Sequence, residues 1–368
     1  MPTMKLAEII SHLEQLAPPV LQESYDNAGL LIGDKNADIT GALVCLDVTE
    51  AVLDEAIARN LNLIIAHHPL IFKPLKRIVE TNPLEKMVVK AIRHHIAVYA
   101  IHTNLDSVMN GVSASLANRL GLVNTRVLSP RKGLLRKLVT FCPKSYAETL
   151  RQSLFAAGAG KIGNYDSCSF NTEGTGTFRA LDRANPFVGN MNELHYEAEE
   201  KIELIYPVFR EQAVIQAMKS VHPYEEVAYD VYVLENELKE VGYGIVGELP
   251  EQQDSLSFLN FLKEKTGTTC LRHTSITSST VKKIAVCGGS GSFMIREAMA
   301  AAADVFVTGD VKYHEFLDAE GHLLIADIGH YESERFVLEF LHADLNEKFP
   351  NFANFISEVN TNPIHCLS

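Results

Sequence analysis

The apolar run inside Asn62-Leu-Ile-Ile-Ala66 stops at His67, His68 and Pro69, and no other stretch constrains the fold of this chain as strongly. Short, unbroken apolar runs of this kind are strands of a buried sheet, and such a sheet needs helices on its faces. Where the strand ends, the chain presents two imidazoles. Neighbouring side chains on an extended chain point apart, so the pair could serve two different metal ions.

The first 130 residues repeat this theme. Ala42–Leu46 reads as a strand, Glu50–Asn60 as a helix, Asn62–Ala66 as a strand, Glu85–His95 as a helix and Ile96–Ile101 as a strand, preceded by an amphipathic helix within Met1–Pro19. The last 90 residues return to the same order, with strands at Lys283–Cys287, Asp304–Val307 and His322–Ala326 and helices at Phe293–Ala303 and Lys312–Ala319. The fold class expected is α/β, with a discontinuous core of two similar halves, residues 1–128 and 282–368. Residues 129–281 differ: strands and helices there follow the β-α-β-β-α-β order of a ferredoxin-like α+β domain inserted into the core. Gly176–Ala180 reads as one of its strands, while the long polar, glycine-bearing stretch Asn171 to Asn192 around it reads as a surface loop.

A chain of 368 residues suits two domains, and 46% hydrophobic residues are ample for real cores. The net charge of −13 argues against direct nucleic-acid binding, which rests on a basic surface. No apolar run reaches the roughly 18 to 20 residues of a membrane span, and the N-terminus lacks the continuous apolar stretch of a signal peptide. Six cysteines, scattered without C-x-x-C spacing, fit a reducing cytoplasm.

Two further segments give the histidine pair its meaning. Ile101-His-Thr-Asn-Leu-Asp106 follows another apolar strand, and Gly329-His-Tyr-Glu-Ser-Glu334 opens a helix on which His330 and Glu334, four residues apart, share a face. His67, His68, Asp106, His330 and Glu334 together form a mixed nitrogen and oxygen set suited to Zn, Mn, Fe, Co or Ni rather than Ca or Mg. Two ions roughly 3.5 to 4 Å apart would acidify a water and polarise a substrate, which makes hydrolysis the natural reaction class. The competing reading takes the histidines as strand-end residues bonded to backbone and the carboxylates as surface groups or helix caps. His102 and His314 are candidates for moving protons, Tyr25-Asp-Asn-Ala-Gly29 for lining a pocket, and Gly288-Gly-Ser-Gly-Ser292 for a tight strand-to-helix turn rather than an anion cradle. His222-Pro-Tyr-Glu-Glu226 offers a histidine and two carboxylates, but equally fits a helix end running into a strand.

Ala66-His-His-Pro69, Ile101–Asp106, Thr308-Gly-Asp310, Gly329–Glu334 and the closing Asn360-Thr-Asn-Pro363 resemble, over the whole chain, the NIF-three-like family, widely labelled GTP cyclohydrolase I type 2 homologues. The resemblance implies a dinuclear centre on the same five ligands with Glu334 as the bridge, and two divalent ions per chain, zinc foremost among the alternatives. It also implies an insert similar to the P-II nitrogen-regulator proteins, a toroidal homohexamer, and a small-molecule substrate, a purine nucleotide hydrolysed at its imidazole ring. A different class of function, a non-catalytic metal-binding or regulatory protein whose insert senses a small molecule, also fits the insert.

Overall fold

Every side chain of the strand Leu63–Ala66 is buried, as its unbroken apolar sequence requires. It pairs in parallel with Ala42–Cys45 on one side and Ala97–Ala100 on the other, in a five-stranded sheet edged by Asn354–Ile356 and by the antiparallel Gly29–Ile32. Alternation sends Leu63 and Ile65 into a core with Leu6, Ile9 and Leu13 of the helix Leu6–Leu16. Ile64 and Ala66 face the opposite core, with Val52 and Leu53 of Glu50–Ala58 and Ala91 of Pro83–Arg93. Both of these latter helices start where side chains satisfy their orphan amides, Thr49 accepting from Val52 N and Asn82 from Glu85 N, with Pro83 at the first helical position.

The computed structural model describes residues 4–367, and the chain divides into two compact units, one running to Pro130 and resuming at Lys239, the other being Arg131–Leu238. Within the first unit a second, six-stranded sheet runs Arg272–His273, Leu324–Asp327, Val305–Thr308, Thr280–Val286, Leu238–Asp254, Val123–Arg131. Its middle strands Thr280–Val286, Val305–Thr308 and Leu324–Asp327 are parallel. Val307 and Ala326 share a core with Phe258 and Leu262, and Phe306 and Ile325 one with Met294 and Ala298.

Register then decides where the chemistry goes. Cys45 lies opposite Ala66 and Ala66 opposite Ala100, so Asp47, His67, His68 and His102 leave the first sheet at one carboxyl edge. In the second sheet Val286 lies opposite Val307 and Val307 opposite Ala326, so Gly288, Asp310 and His330 do the same. Ligands in open α/β sheets collect at such edges.

The second unit ends earlier than the expected residue 281. Leu238–Asp254 hydrogen-bonds antiparallel to Thr280–Val286, and Phe258, Leu259 and Leu262 of the helix Ser255–Thr266 fill the core of the first unit, so residues 239–281 belong there. Arg131–Leu238 contains, in order, Leu135–Pro143, the helix Lys144–Ala156, Phe170–Arg179, Leu194–Pro207, the helix Glu211–Val221 and Tyr229–Leu234. All neighbours in its four-stranded sheet are antiparallel. Leu138, Leu150, Leu154, Ile202, Leu204, Val214 and Met218 make its core. The expected loop from Asn171 is a correction in part: the strand read at Gly176–Ala180 is there but starts earlier, Phe170–Arg179 being a ten-residue strand paired along its length with Leu194–Pro207. Its side chains are nearly all exposed, so it carries no burial pattern for a sequence to display. Among the described residues no helix is long and apolar enough to cross a membrane.

Candidate metal centre

Four imidazoles and two carboxylates meet at the carboxyl edges of the two sheets. His67 is fully buried; its Nδ1 bonds the carbonyl of Ile101 at 2.9 Å, which leaves Nε2 facing Asp106 Oδ1 at 3.6 Å and Glu334 Oε1 at 3.8 Å. His68 points the other way. Its Nδ1 bonds Asp47 at 2.8 Å, while Nε2 lies 3.0 Å from Glu334 Oε2 and 3.4 Å from His330 Nε2. His330 repeats the arrangement, with Nδ1 on Asp310 at 2.7 Å and Nε2 3.1 Å from Glu334 Oε2. Donor atoms around a tetrahedral ion at 2.0 to 2.1 Å stand roughly 3.3 to 3.4 Å apart, close to the spacing of these three atoms.

His67 Nε2 and Asp106 Oδ1 are buried, have no hydrogen-bond partner and face each other at 3.6 Å. Native interiors seldom leave polar atoms so, and two of them facing each other fit a metal centre. Two triplets, His67 with His68 and His102, and His68 with His330 and Glu334, bring their ligand atoms within 4.8 Å of one another.

The charge balance agrees. Burial alone would lower the His68 imidazole, but the Asp47 and Glu334 carboxylates on its two nitrogens push it up to about 10. Burial acts the same way on His330, and Glu334 and Asp310 push it up to about 9. Burial raises Glu334, yet the imidazoles of His330, His67 and His68 hold it well below the usual carboxylate range. Asp106 is pushed up to about 7 by burial, which His67 opposes and Glu334 reinforces. A buried acidic cluster that draws protons onto two imidazoles is short of positive charge, as a site for cations must be.

His102 stands beside this group, its ring 5.3 Å from that of His67 and 5.4 Å from that of His68. Asp26 holds it through Nδ1 at 2.8 Å and also accepts from the Thr103 amide and hydroxyl. Burial opposes ionisation of Asp26, but His102 and Thr103 bring its carboxyl down to about 2. The pocket expected of Tyr25-Asp-Asn-Ala-Gly29 thus supplies a positioning carboxylate. His314 is a correction. Its side chain is exposed, its ring contact is with Tyr313, and among the described residues it makes no hydrogen bond or ion pair with the cluster. It lies in the helix Tyr313–Ala319, beyond the turn that delivers Asp310.

Sequence reasoning passed over Asp47 and Asp310 as supports of the histidines. Their signal was position: each follows a parallel strand by one or two residues. The closing Asn360-Thr-Asn-Pro363 reaches the same place, Thr361 donating to Asp47 at 2.8 Å and Asn362 to Glu332 at 3.0 Å. Gly288-Gly-Ser-Gly-Ser292 is a turn that braces the site. The amides of Gly288, Gly289 and Gly291 already donate to Ser113, Ser333 and Thr308 at 3.3, 2.9 and 3.0 Å. Gly289 has φ +65°, and a Cβ there would collide with Glu334 Oε1.

His222-Pro-Tyr-Glu-Glu226 holds no metal-like cluster. His222 Nδ1 accepts from the Tyr224 amide at 3.1 Å, so Nε2 carries the proton and donates to the Phe141 carbonyl at 2.9 Å. Burial lowers this imidazole below its usual value, with the Phe141 bond opposing. The fold therefore keeps His222 neutral, whereas the unfolded chain protonates it below a pH of about 6.5. Its contribution to stability is whole above that pH and is lost as pH falls through it. We expect the urea midpoint of the wild type to fall relative to that of His222→Gln between about pH 7.5 and about pH 5.5, the other titrating groups being common to both proteins. A difference between the two proteins that does not change with pH would show that His222 is not a titrating group.

Comparison with known proteins places this geometry. The chain is 43% identical over 366 residues to the Bacillus subtilis protein named GTP cyclohydrolase 1 type 2 homolog, covering 98% of each, and 39% identical over 365 residues to the Staphylococcus epidermidis protein of that name, covering 98% of this chain and 99% of the relative. The crystal structure of a Bacillus cereus protein related to NIF3 superposes with a TM-score of 0.86 at 40% identity, covering 100% of both chains. A Staphylococcus aureus structure gives 0.79 at 32%, again with 100% of both covered. The profile of Duf34/NIF3 (NGG1p interacting factor 3) matches residues 4–363, and with relatives this similar over this length, the chain belongs to that family.

Proposed function

We propose that the cluster holds two divalent ions and that the protein is a metal-dependent hydrolase acting on a small molecule of the purine nucleotide class. One observation carries the reading: the two oxygens of Glu334 face separate donor sets, Oε2 toward His68 and His330, Oε1 toward His67. Asp106, 3.6 Å from His67 Nε2, completes the second set. Glu334 would then hold both ions, and the donor chemistry would suit zinc first, with manganese, iron, cobalt or nickel as alternatives.

When bound, such a pair supplies a water acidified toward neutrality and a Lewis acid for a substrate oxygen or nitrogen. The chain's own residues do the rest. Asp47 and Asp310 keep His68 and His330 in the tautomer that leaves Nε2 available. Asp26 orients His102 through its Nδ1, which places this imidazole beside the cluster as the candidate for moving a proton. The relatives' name, GTP cyclohydrolase 1 type 2 homolog, gives GTP as the first substrate to try, with formate as the product to detect.

The β-α-β-β-α-β order and antiparallel sheet of Arg131–Leu238 support reading that unit as ferredoxin-like and P-II-like. Its edge strand Tyr229–Leu234 exposes Val231, Tyr232 and Val233, which supports self-association toward a homohexamer. Sedimentation tests that assembly. The decisive experiment for function measures metal per chain in protein purified without chelator, together with formate release from GTP by wild type and Asp106→Ala. Metal-dependent turnover, lost in a folded Asp106→Ala, is the expected result. Metal without turnover on any nucleotide would favour a regulatory protein, and unchanged turnover in the variant would overturn the reading.

A further inference from the structure

The unit Arg131–Leu238 contains a cavity of about 640 Å³, within the range of small-molecule sites, and it stands on residues that take no part in the metal centre. We propose that it binds a small organic cation, an alkylammonium or quaternary ammonium group, held by Glu199 among the rings of Phe178, Phe187 and Tyr224.

Glu199 lies within the strand Leu194–Pro207, lines the cavity and is only 8% exposed. Its Oε1 accepts from the Tyr224 hydroxyl at 2.8 Å. Among the described residues it has no ion pair, and no hydrogen bond reaches Oε2. Lys201, two residues on and also at the cavity, turns its ammonium to Glu203 at 2.9 Å instead. A buried carboxylate without a cation is costly, and the cavity is where a cation can reach it. Gly176 on the adjoining strand makes the room, since a Cβ there would overlap the Glu199 carboxylate.

The walls suit the same charge. The Tyr224 ring lies 6.1 Å from that of Phe178 and 6.4 Å from that of Phe187, and all three line the cavity. Ring faces carry negative potential and attract desolvated cations, least hydrated ammonium groups above all. Tyr224 is clamped at both ends, its amide on His222 and its hydroxyl on Glu199, so the cage is formed before a ligand arrives. This gives His222-Pro-Tyr-Glu-Glu226 a purpose that a metal site does not. An anion is disfavoured: Arg179 and Lys201 are set against Glu173, Glu199, Glu225 and Glu226.

The test titrates the full-length protein with choline and with its neutral isostere 3,3-dimethyl-1-butanol, by calorimetry and by NMR. Saturable binding of choline is expected, at least about tenfold tighter than the isostere. Glu199→Gln keeps the acceptor for Tyr224 and removes the charge, and should lose about tenfold or more in choline affinity. Phe187→Ala, at a ring 49% exposed, is the second variant and should weaken choline without unfolding the unit. Metal content in both variants should equal that of the wild type. Absence of saturable choline binding, equal binding of the isostere, or wild-type affinity in both variants would overturn the proposal.

Discussion

Glu334→Ala should strip the protein of the two ions proposed for it while leaving it folded. Glu334 is 4% exposed and, among the described residues, is the side chain whose oxygens approach both donor sets. If Glu334 bridges as proposed, its loss would take a ligand from each ion and also the negative charge that would offset two cations held close together. The affinity lost should exceed the roughly 10- to 100-fold that removal of a supporting group costs. The fold should survive, because without Glu334 the neighbouring imidazoles can lose their protons, and Gly289, which approaches the Glu334 carboxylate, gains space. Glu334→Gln sharpens the test. Its amide offers one ligating oxygen in place of two, so it should keep at most one ion where the wild type keeps about two. Elemental analysis of all three proteins, with circular dichroism as the folding control, reads the result. Two ions retained in Glu334→Ala would remove the bridge from the description of this site.

Asp47→Asn and Asp310→Asn should each weaken metal retention by roughly 10- to 100-fold without touching a ligand atom. Each carboxylate takes the Nδ1–H of one histidine, at 2.8 Å for His68 and 2.7 Å for His330. That bond fixes the tautomer, aims Nε2 and raises its basicity. The asparagine amide can still accept the bond, so the charge alone is tested. Asparagine is also the safe choice at position 310, where φ is +57° and alanine would add backbone strain. The two aspartates are themselves braced, Asp47 by Thr361 and Asp310 by Ser290 at 2.6 Å. Competition for zinc against a chromogenic chelator measures the effect. His67, whose Nδ1 meets the Ile101 carbonyl instead, has no such carboxylate. If both variants hold zinc as tightly as the wild type, the charges of Asp47 and Asp310 do not support the metal site.

The histidines, Asp106 and Glu334 were legible in sequence because each sits where a strong local pattern breaks. A strand covered on both faces must be apolar throughout, so Leu63–Ala66 announces both itself and its end. His330 and Glu334 share a face through helical spacing alone. His102 was legible for the same reason as His67, at the end of Ala97–Ala100. The strand Phe170–Arg179 was legible only at its end, from Gly176, since a largely exposed strand shows no alternation and owes its form to pairing with Leu194–Pro207. The boundary at Leu238 was hidden likewise, because Leu238–Asp254 joins the core by hydrogen bonds to Thr280–Val286 and by no composition of its own.

By itself, then, the sequence determined the α/β class and the residues at the strand ends, for burial and periodicity are local properties of the chain. Tertiary structure alone decided that Asp47 would meet His68 and Thr361, that Asp310 would meet His330, and that His314 would stand outside. Those partners lie 20 to more than 300 residues apart. What joins them is the parallel register of each sheet, which brings the strand ends to one edge and is set by packing that no single segment encodes.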